Sequence, residues 1–269
     1  MTATTIGVIA IKGGVGKTTT ASNLAAILAN DFKKKVLVVD ANFSAPNLSF
    51  HLGENAPSDT IHDVLTDKVK IQDAIREHEK GGFAYIPGAL TKGYLYPFKL
   101  KKKLEAVKTD YDYIVLDSSP TMNEELVSAM VASDKLLVVT TPDYPTLSAT
   151  LHAVRVAKDK KTPIVGLILN KTRGKHFELH VEEIENATQT PVLAVLPDDL
   201  RILEALANAV PASLYAPLAD AVVEYRKLAA ALVGQEYEDP RFLSRVKNLF
   251  RTEMPKEEVN RILLRKGFL

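Results

Sequence analysis

Ile6-Gly7-Val8-Ile9-Ala10-Ile11 runs straight into Lys12-Gly13-Gly14-Val15-Gly16-Lys17-Thr18-Thr19, where a helical pattern opens. A short apolar run of this kind reads as a buried strand. Glycines let the residues after it turn tightly and aim their N–H groups at phosphate oxygens, and a helix N-terminus adds partial positive charge. In this strand–loop–helix setting Lys17 is placed to reach the β- and γ-phosphates of a nucleotide, and the Thr18 hydroxyl to ligate Mg²⁺. Gly13, Gly14, Val15, Gly16, Lys17, Thr18 and Thr19 are therefore the candidate phosphate site.

Further apolar runs rich in Val and Ile follow: Val36 to Val39, Phe83 to Ile86, Tyr113 to Leu116, Leu136 to Val139, Ile164 to Leu169 and Val192 to Leu196. Continuous rather than alternating runs mark parallel strands covered on both faces. Amphipathic stretches lie between them, such as Ala21, Leu24, Ala25 and Leu28 at i, i+3, i+4, i+7. The expectation is an α/β fold: a doubly wound, mostly parallel sheet of about seven strands with helices on both faces. Ligands of such sheets sit at the carboxyl ends of the strands. The alternation stops at Gly234, so residues 1–234 read as the nucleotide-binding domain and 235–269 as a helical tail.

Composition narrows the function classes. The 269 residues carry 34 Lys+Arg against 33 Asp+Glu, and no cysteine. Near-neutral charge gives no global field toward nucleic acid or membrane, so either partner would need a local patch. Without cysteine, disulfides, thiolate metal sites and iron–sulfur clusters are excluded. The N-terminus lacks the pattern of a signal peptide and no apolar run reaches bilayer length, so the expectation is a cytoplasmic protein.

Three more motifs stand at strand ends. Val38-Val39-Asp40-Ala41-Asn42 leads into Pro46-Asn47-Leu48; Tyr113-Ile114-Val115-Leu116-Asp117 leads into Ser118-Ser119-Pro120; and Leu169-Asn170-Lys171-Thr172-Arg173 closes a later run. An acid ending an apolar strand is the Walker-B arrangement, with Asp117 on Mg²⁺ directly or through water. A guanine reader would need an acid at position 173, and Arg173 is itself a donor. Asn170 can instead exchange one hydrogen bond each with adenine N6 and N7, which makes the base adenine and the cofactor ATP with Mg²⁺.

A strict P-loop carries a glycine where Ile11 stands. Lys12 at the head of the loop, with the motifs above, resembles the deviant P-loop of the MinD/ParA family of dimerising ATPases, over about residues 4–233. The resemblance implies that Lys12 reaches across a homodimer to the partner's nucleotide, that Asp40 supports the site from switch I, and that Ser118 to Pro120 form switch II. It also implies that Pro197 and Asp199 help Asn170 hold the base. The family's second switch I acid is replaced by Asn42, an amide that can hold a water but cannot accept its proton. Hydrolysis is therefore expected to be slow, with Lys12, Lys17, Asp40 and Asn42 the residues that carry it.

In the tail, Phe242, Leu243, Val246, Leu249 and Phe250 fall on one third of a helical wheel, opposite Arg245, Lys247 and Arg251. This basic amphipathic pattern reads as an anionic membrane surface or partner contact over residues 240–251. It resembles the family's C-terminal targeting helix, with Thr252 to Leu269 following it here. A second short helical pattern spans Pro255 to Lys266. The implied function is spatial positioning of a division site or another structure through an ATP-dependent dimer and a regulatory or cargo protein. DNA is the lesser alternative, as are a DNA-cargo partitioner and a scaffold that binds ATP but barely hydrolyses it. His176 and His180 near Glu182 and Glu183 lack a third ligand, and Phe177 to Ala187 reads as an exposed helix.

Overall fold

A computed structural model describes residues 2–90, 95–241 and 254–269. Phe242, Leu243, Val246, Leu249 and Phe250 lie outside the described residues. In chain order the elements are β1 (Thr4–Ile9), α1 (Lys17–Asn30), β2 (Val36–Ala41), α2 (Leu48–His51), α3 (Ile61–Leu65), β3 (Arg76–His78), β4 (Phe83–Ile86), α4 (Lys99–Glu105), β5 (Tyr113–Ser118) and α5 (Glu124–Ala132). There follow β6 (Lys135–Thr140), α6 (Tyr144–Asp159), β7 (Ile164–Thr172), α7 (Val181–Thr188), β8 (Val192–Pro197), α8 (Leu200–Ala207), α9 (Ala212–Tyr215), α10 (Asp220–Leu232) and α11 (Lys256–Arg265).

The strands form one sheet in the order β3-β4-β2-β5-β1-β6-β7-β8, parallel except for the β3–β4 pair. The eighth strand beyond the expected seven is β3, whose sequence Arg76-Glu77-His78 has no apolar residue. An edge strand needs no second buried face, so it leaves no apolar run to read. The helix expected from Phe177 begins only at Val181. His180 caps it, and the Glu183 side chain accepts the His180 N–H at 2.7 Å.

Burial on both faces explains the unbroken apolar runs. In β2, Val36 and Val38 point into the core under α1 and α10, while Leu37, Val39 and Ala41 point into the core under α3, α4 and α5. A strand covered on both faces in this way is therefore apolar along nearly its whole length. Helix α1 is covered nearly all round, polar Thr20, Ser22 and Asn23 included. No helix among the described residues is long and apolar enough to cross a membrane.

Helix α11 packs on β8 and α10 through polar side chains. Asn260 Nδ2 donates to the Val192 carbonyl at 2.8 Å, and Arg261 Nη1 donates to the Leu193 carbonyl at 2.9 Å and to Glu224 Oε2 at 3.0 Å. Both are buried. Those carbonyls belong to the sheet's edge strand, so α11 covers an edge that would otherwise stand open.

Candidate functional site

Each expected motif lies at the carboxyl end of a strand, and the sheet order brings β1, β2, β5 and β7 to one end of the molecule. Between them is a cavity of about 280 Å³. Gly13, Gly14, Gly16, Lys17, Thr18, Thr19, Asn42, Asn170, Pro197 and Asp199 all line it, with Ser118 and Pro120. Asp40 and Asp117 stand behind the lining, fully buried and in register on β2 and β5. Val15 is buried in the main core.

The loop's shape rests on two glycines. Gly14 and Gly16 have φ of +73° and +103°, a region L side chains rarely enter. A side chain at Gly16 would also strike the Asn170 amide. That amide ties the base end of the site to the loop: Asn170 Nδ2 donates to the Val15 carbonyl at 2.7 Å, while Oδ1 accepts the Lys171 N–H at 2.9 Å. One N–H and one lone pair of Asn170 stay available, the pair an adenine edge needs. Lys171, itself at φ +58°, sends its Nζ to the Gly14 carbonyl at 2.8 Å.

Lys17 is buried, and burial lowers its pKa, opposed by the charge of Asp117. Its Nζ reaches the Lys12 carbonyl at 3.4 Å. Burial raises Asp40 and Asp117 above the ordinary carboxylate range, and the charge of Asp117 adds to the rise at Asp40. Three backbone N–H groups, of Leu48, Asn42 and Asn47, oppose it, each donating to Asp40 at 3.0 Å. At Asp117 the opposition comes from Thr18 and Lys17. Neither Asp117 oxygen has a hydrogen-bond partner among the described residues. A bare buried carboxylate beside a threonine hydroxyl and a lysine is the donor set an Mg²⁺–phosphate group fits. Thr18 Oγ1 meanwhile donates to Asn47 Oδ1 at 3.0 Å.

Asn42 is buried. Its Nδ2 donates to the Ala45 carbonyl, and its Oδ1 has no partner among the described residues. Asn42 lines the cavity, and its buried Oδ1 is a spare acceptor. Lys12 is not part of that lining. Its Nζ is held by Thr146 Oγ1 at 2.6 Å and Asp143 Oδ1 at 3.3 Å, where Asp143 caps α6. Asp199 caps α8 through the Arg201 N–H, and Arg173 pairs with Asp198 at 2.8 Å.

Sequence reading missed an apolar part of the cavity lining, made by Ile202, Leu203 and Leu206 of α8 with Ala221 and Tyr225 of α10. Leu203 and Leu206 keep 56% and 40% exposure, which marks them as wall rather than core. The Tyr225 hydroxyl meets Thr20 Oγ1 at 2.9 Å and so joins α10 to the P-loop helix. A tyrosine at a helical core spacing carries no signal of this. No cluster of three or more His, Cys, Asp or Glu side chains suited to a metal occurs among the described residues, His176 and His180 included.

The AAA domain family matches residues 3–164, which is more than half the chain. An uncharacterised ATP-binding protein of Methanocaldococcus jannaschii is 33% identical over 235 residues, 87% of this chain and 89% of that protein. The sporulation initiation inhibitor Soj of Bacillus subtilis is 33% identical over 238 residues, 81% of this chain and 93% of its own. The septum site-determining protein MinD of Pyrococcus horikoshii, solved with Mg-ADP, superposes with a TM-score of 0.80 at 30% identity, covering 91% of this chain and 98% of that one. Fold, motifs and relatives agree that the chain belongs to the MinD/ParA family of deviant P-loop ATPases.

Proposed function

We propose that the cavity binds Mg·ATP, that two copies close on two nucleotides, and that slow hydrolysis ends this state. The observation that carries the reading is the arrangement around one cavity: Lys17 and Thr18 at its wall, Asp117 bare behind it, and Asn42 at the wall with its Oδ1 unpartnered. Bound Mg²⁺ would neutralise phosphate charge and be held by Thr18 and Asp117. The P-loop N–H groups hold the phosphates, and the buried Lys17 ammonium gains counter-charge beyond that of Asp117. Asn170 reads the adenine edge, with Pro197 and Asp199 beside it and the α8 leucines against the ring. The Asn42 Oδ1 orients the attacking water by accepting one hydrogen bond from it, leaving the water's proton without an acceptor at that position.

Output is control of association by nucleotide state: a cytoplasmic protein that positions a division site or other structure through an anionic membrane surface or a protein partner. Residues 240–251 supply the membrane contact. One such segment binds weakly, and two on a dimer raise avidity by about 10²–10⁴-fold. A nucleotide-gated scaffold with very slow turnover is the second reading, favoured by Asn42.

Competition titration tests the base assignment: ATP is expected to bind at least about tenfold more tightly than GTP, and equal affinities overturn it. Lys17→Ala should abolish both nucleotides together. Sedimentation with anionic liposomes tests the output. It should require ATP and be lost in Phe250→Glu, and equal sedimentation with ADP and ATP removes the switch. Truncation at Gly234 is the poorer variant, because it also strips α11 from the β8 edge.

A further inference from the structure

Residues 42–48, between β2 and α2, are gripped from three sides. Asp40 holds the backbone N–H groups of Asn42, Asn47 and Leu48 from below. His62 of α3 donates from Nε2 to the Phe43 carbonyl at 2.9 Å. The third grip comes from the helix that follows Ser118 to Pro120: Glu125, in the first turn of α5, accepts the Ser44 N–H on Oε2 at 3.2 Å and the Ser44 hydroxyl on Oε1. Glu125 reaches this place because Asn123 caps α5 by accepting the Leu126 N–H at 3.0 Å and Leu126 is buried behind it. A carboxylate in the first helical turn is also favoured by the helix dipole.

We propose that Glu125 is a positioning residue for the ATPase cycle, clasping the Asn42 segment to the helix after the Asp117 strand. Serine 44 is two residues from Asn42 and donates two hydrogen bonds to a single carboxylate, so the clasp fixes both the translation and the rotation of that segment. Ser44 is exposed and Glu125 half-buried, unlike the buried Asp40 and His62, so this is the grip that can open without unfolding the core. Through it, a shift of α5 and the Ser118–Pro120 loop moves the Asn42 acceptor. The inference rests on the ATP reading of the cavity; the clasp itself is the Ser44–Glu125 contact.

The test compares Glu125→Ala, Glu125→Gln, Ser44→Ala and the Ser44→Ala/Glu125→Ala double variant by hydrogen exchange, ATP affinity and single-turnover hydrolysis. Glu125→Ala should speed amide exchange over residues 42–48 without nucleotide, leave ATP affinity within about twofold, and slow hydrolysis about tenfold, short of the ~10²-fold that an ångström of misplacement can cost. Glu125→Gln keeps an acceptor and should recover part of the rate. The double variant should be no slower than the worse single one, because both ends serve one clasp. Unchanged exchange in Glu125→Ala, or additive losses in the double variant, overturns the proposal. If the wild-type protein neither binds nor turns over ATP, the functional reading fails while the exchange measurement still decides the clasp.

Discussion

The carboxyl ends of β2 and β5 carry the same residue in the same register, yet the two ends are built for opposite purposes. Asp40 and Asp117 face each other across neighbouring strands, both with no solvent exposure. Asp40 is saturated by three backbone N–H groups, and those bonds shape the turn from β2 into α2. Asp117 has no hydrogen-bond partner among the described residues. A buried polar group left bare costs stability, and such costs persist where a ligand recovers them. The β2 end is scaffold, and the β5 end keeps a carboxylate whose oxygens the scaffold does not use.

Replacing each acid by its amide should break that symmetry outright. Asp40→Asn offers one acceptor where three N–H groups converge and turns an NH₂ toward them. At about 1–3 kcal/mol for each donor left buried, the cost is about 3 kcal/mol, read as a lower midpoint in denaturant unfolding. Asp117→Asn removes a buried charge that only the nearby Thr18 hydroxyl and Lys17 ammonium offset, and stability should change by no more than about 1 kcal/mol. Mg²⁺-dependent nucleotide affinity should show the reverse order, with Asp117→Asn the more damaged. Equal stability losses at the two positions would mean that Asp117 is also a structural acid.

A smaller effect sharpens the comparison within the β2 end. Asn42→Asp gives the attacking water a proton acceptor at the place where the amide has only an oxygen to offer. General-base assistance is commonly worth ~10²–10⁴-fold, and its share in phosphoryl transfer is smaller, so a rise of about tenfold in single-turnover hydrolysis is expected. The new carboxylate also stands beside Asp40, so a stability cost of about 1 kcal/mol should accompany the gain. No rise, with ATP bound equally well, would show that water activation is not what limits the wild type.

How much of this was legible beforehand follows the same division. Seven of the eight strands announced themselves because burial on both faces demands continuous apolar residues, and β3 did not because an edge strand makes no such demand. The P-loop, Asp117 and Asn170 stood out in the sequence because the phosphate, metal and base roles proposed for them each require a particular residue type at a fixed spacing. Asp40 was marked by the family resemblance, but its three backbone partners were not legible, since they depend on how residues 42–48 fold back. Helix α11 appeared as a helical pattern, but its docking did not. It buries Asn260 and Arg261 against β8, the reverse of the apolar face that periodicity seeks. The wall of Leu203, Leu206 and Tyr225 is assembled from two helices by tertiary packing, and spacing along one helix does not encode it.

The smallest expected effect concerns the proton that the β2 end excludes. The His62 ring is buried; its Nε2–H donates to the Phe43 carbonyl at 2.9 Å, and Nδ1 accepts the Ala89 N–H at 3.3 Å. Both nitrogens are thus committed to the neutral form. Burial lowers the pKa below 6.5, and the Phe43 carbonyl, Asp63 and Glu125 oppose it only in part. His51 and His78 are lowered by burial as well. Well above pH 6.5 neither folded nor unfolded chain holds a proton at these rings, so they add no pH dependence there. As pH falls through 6.5 the unfolded chain takes up protons that the folded chain refuses, and stability declines until the folded groups titrate in turn. Each pK unit of separation is worth about 1.4 kcal/mol. His62→Gln keeps an N–H for the Phe43 carbonyl while removing the titration, so its stability between pH 7 and 5 should fall less steeply than the wild type's. An equal slope in the two proteins would mean that the decline belongs to His51, His78 or the carboxylates, and that the β2 end is insensitive to acid.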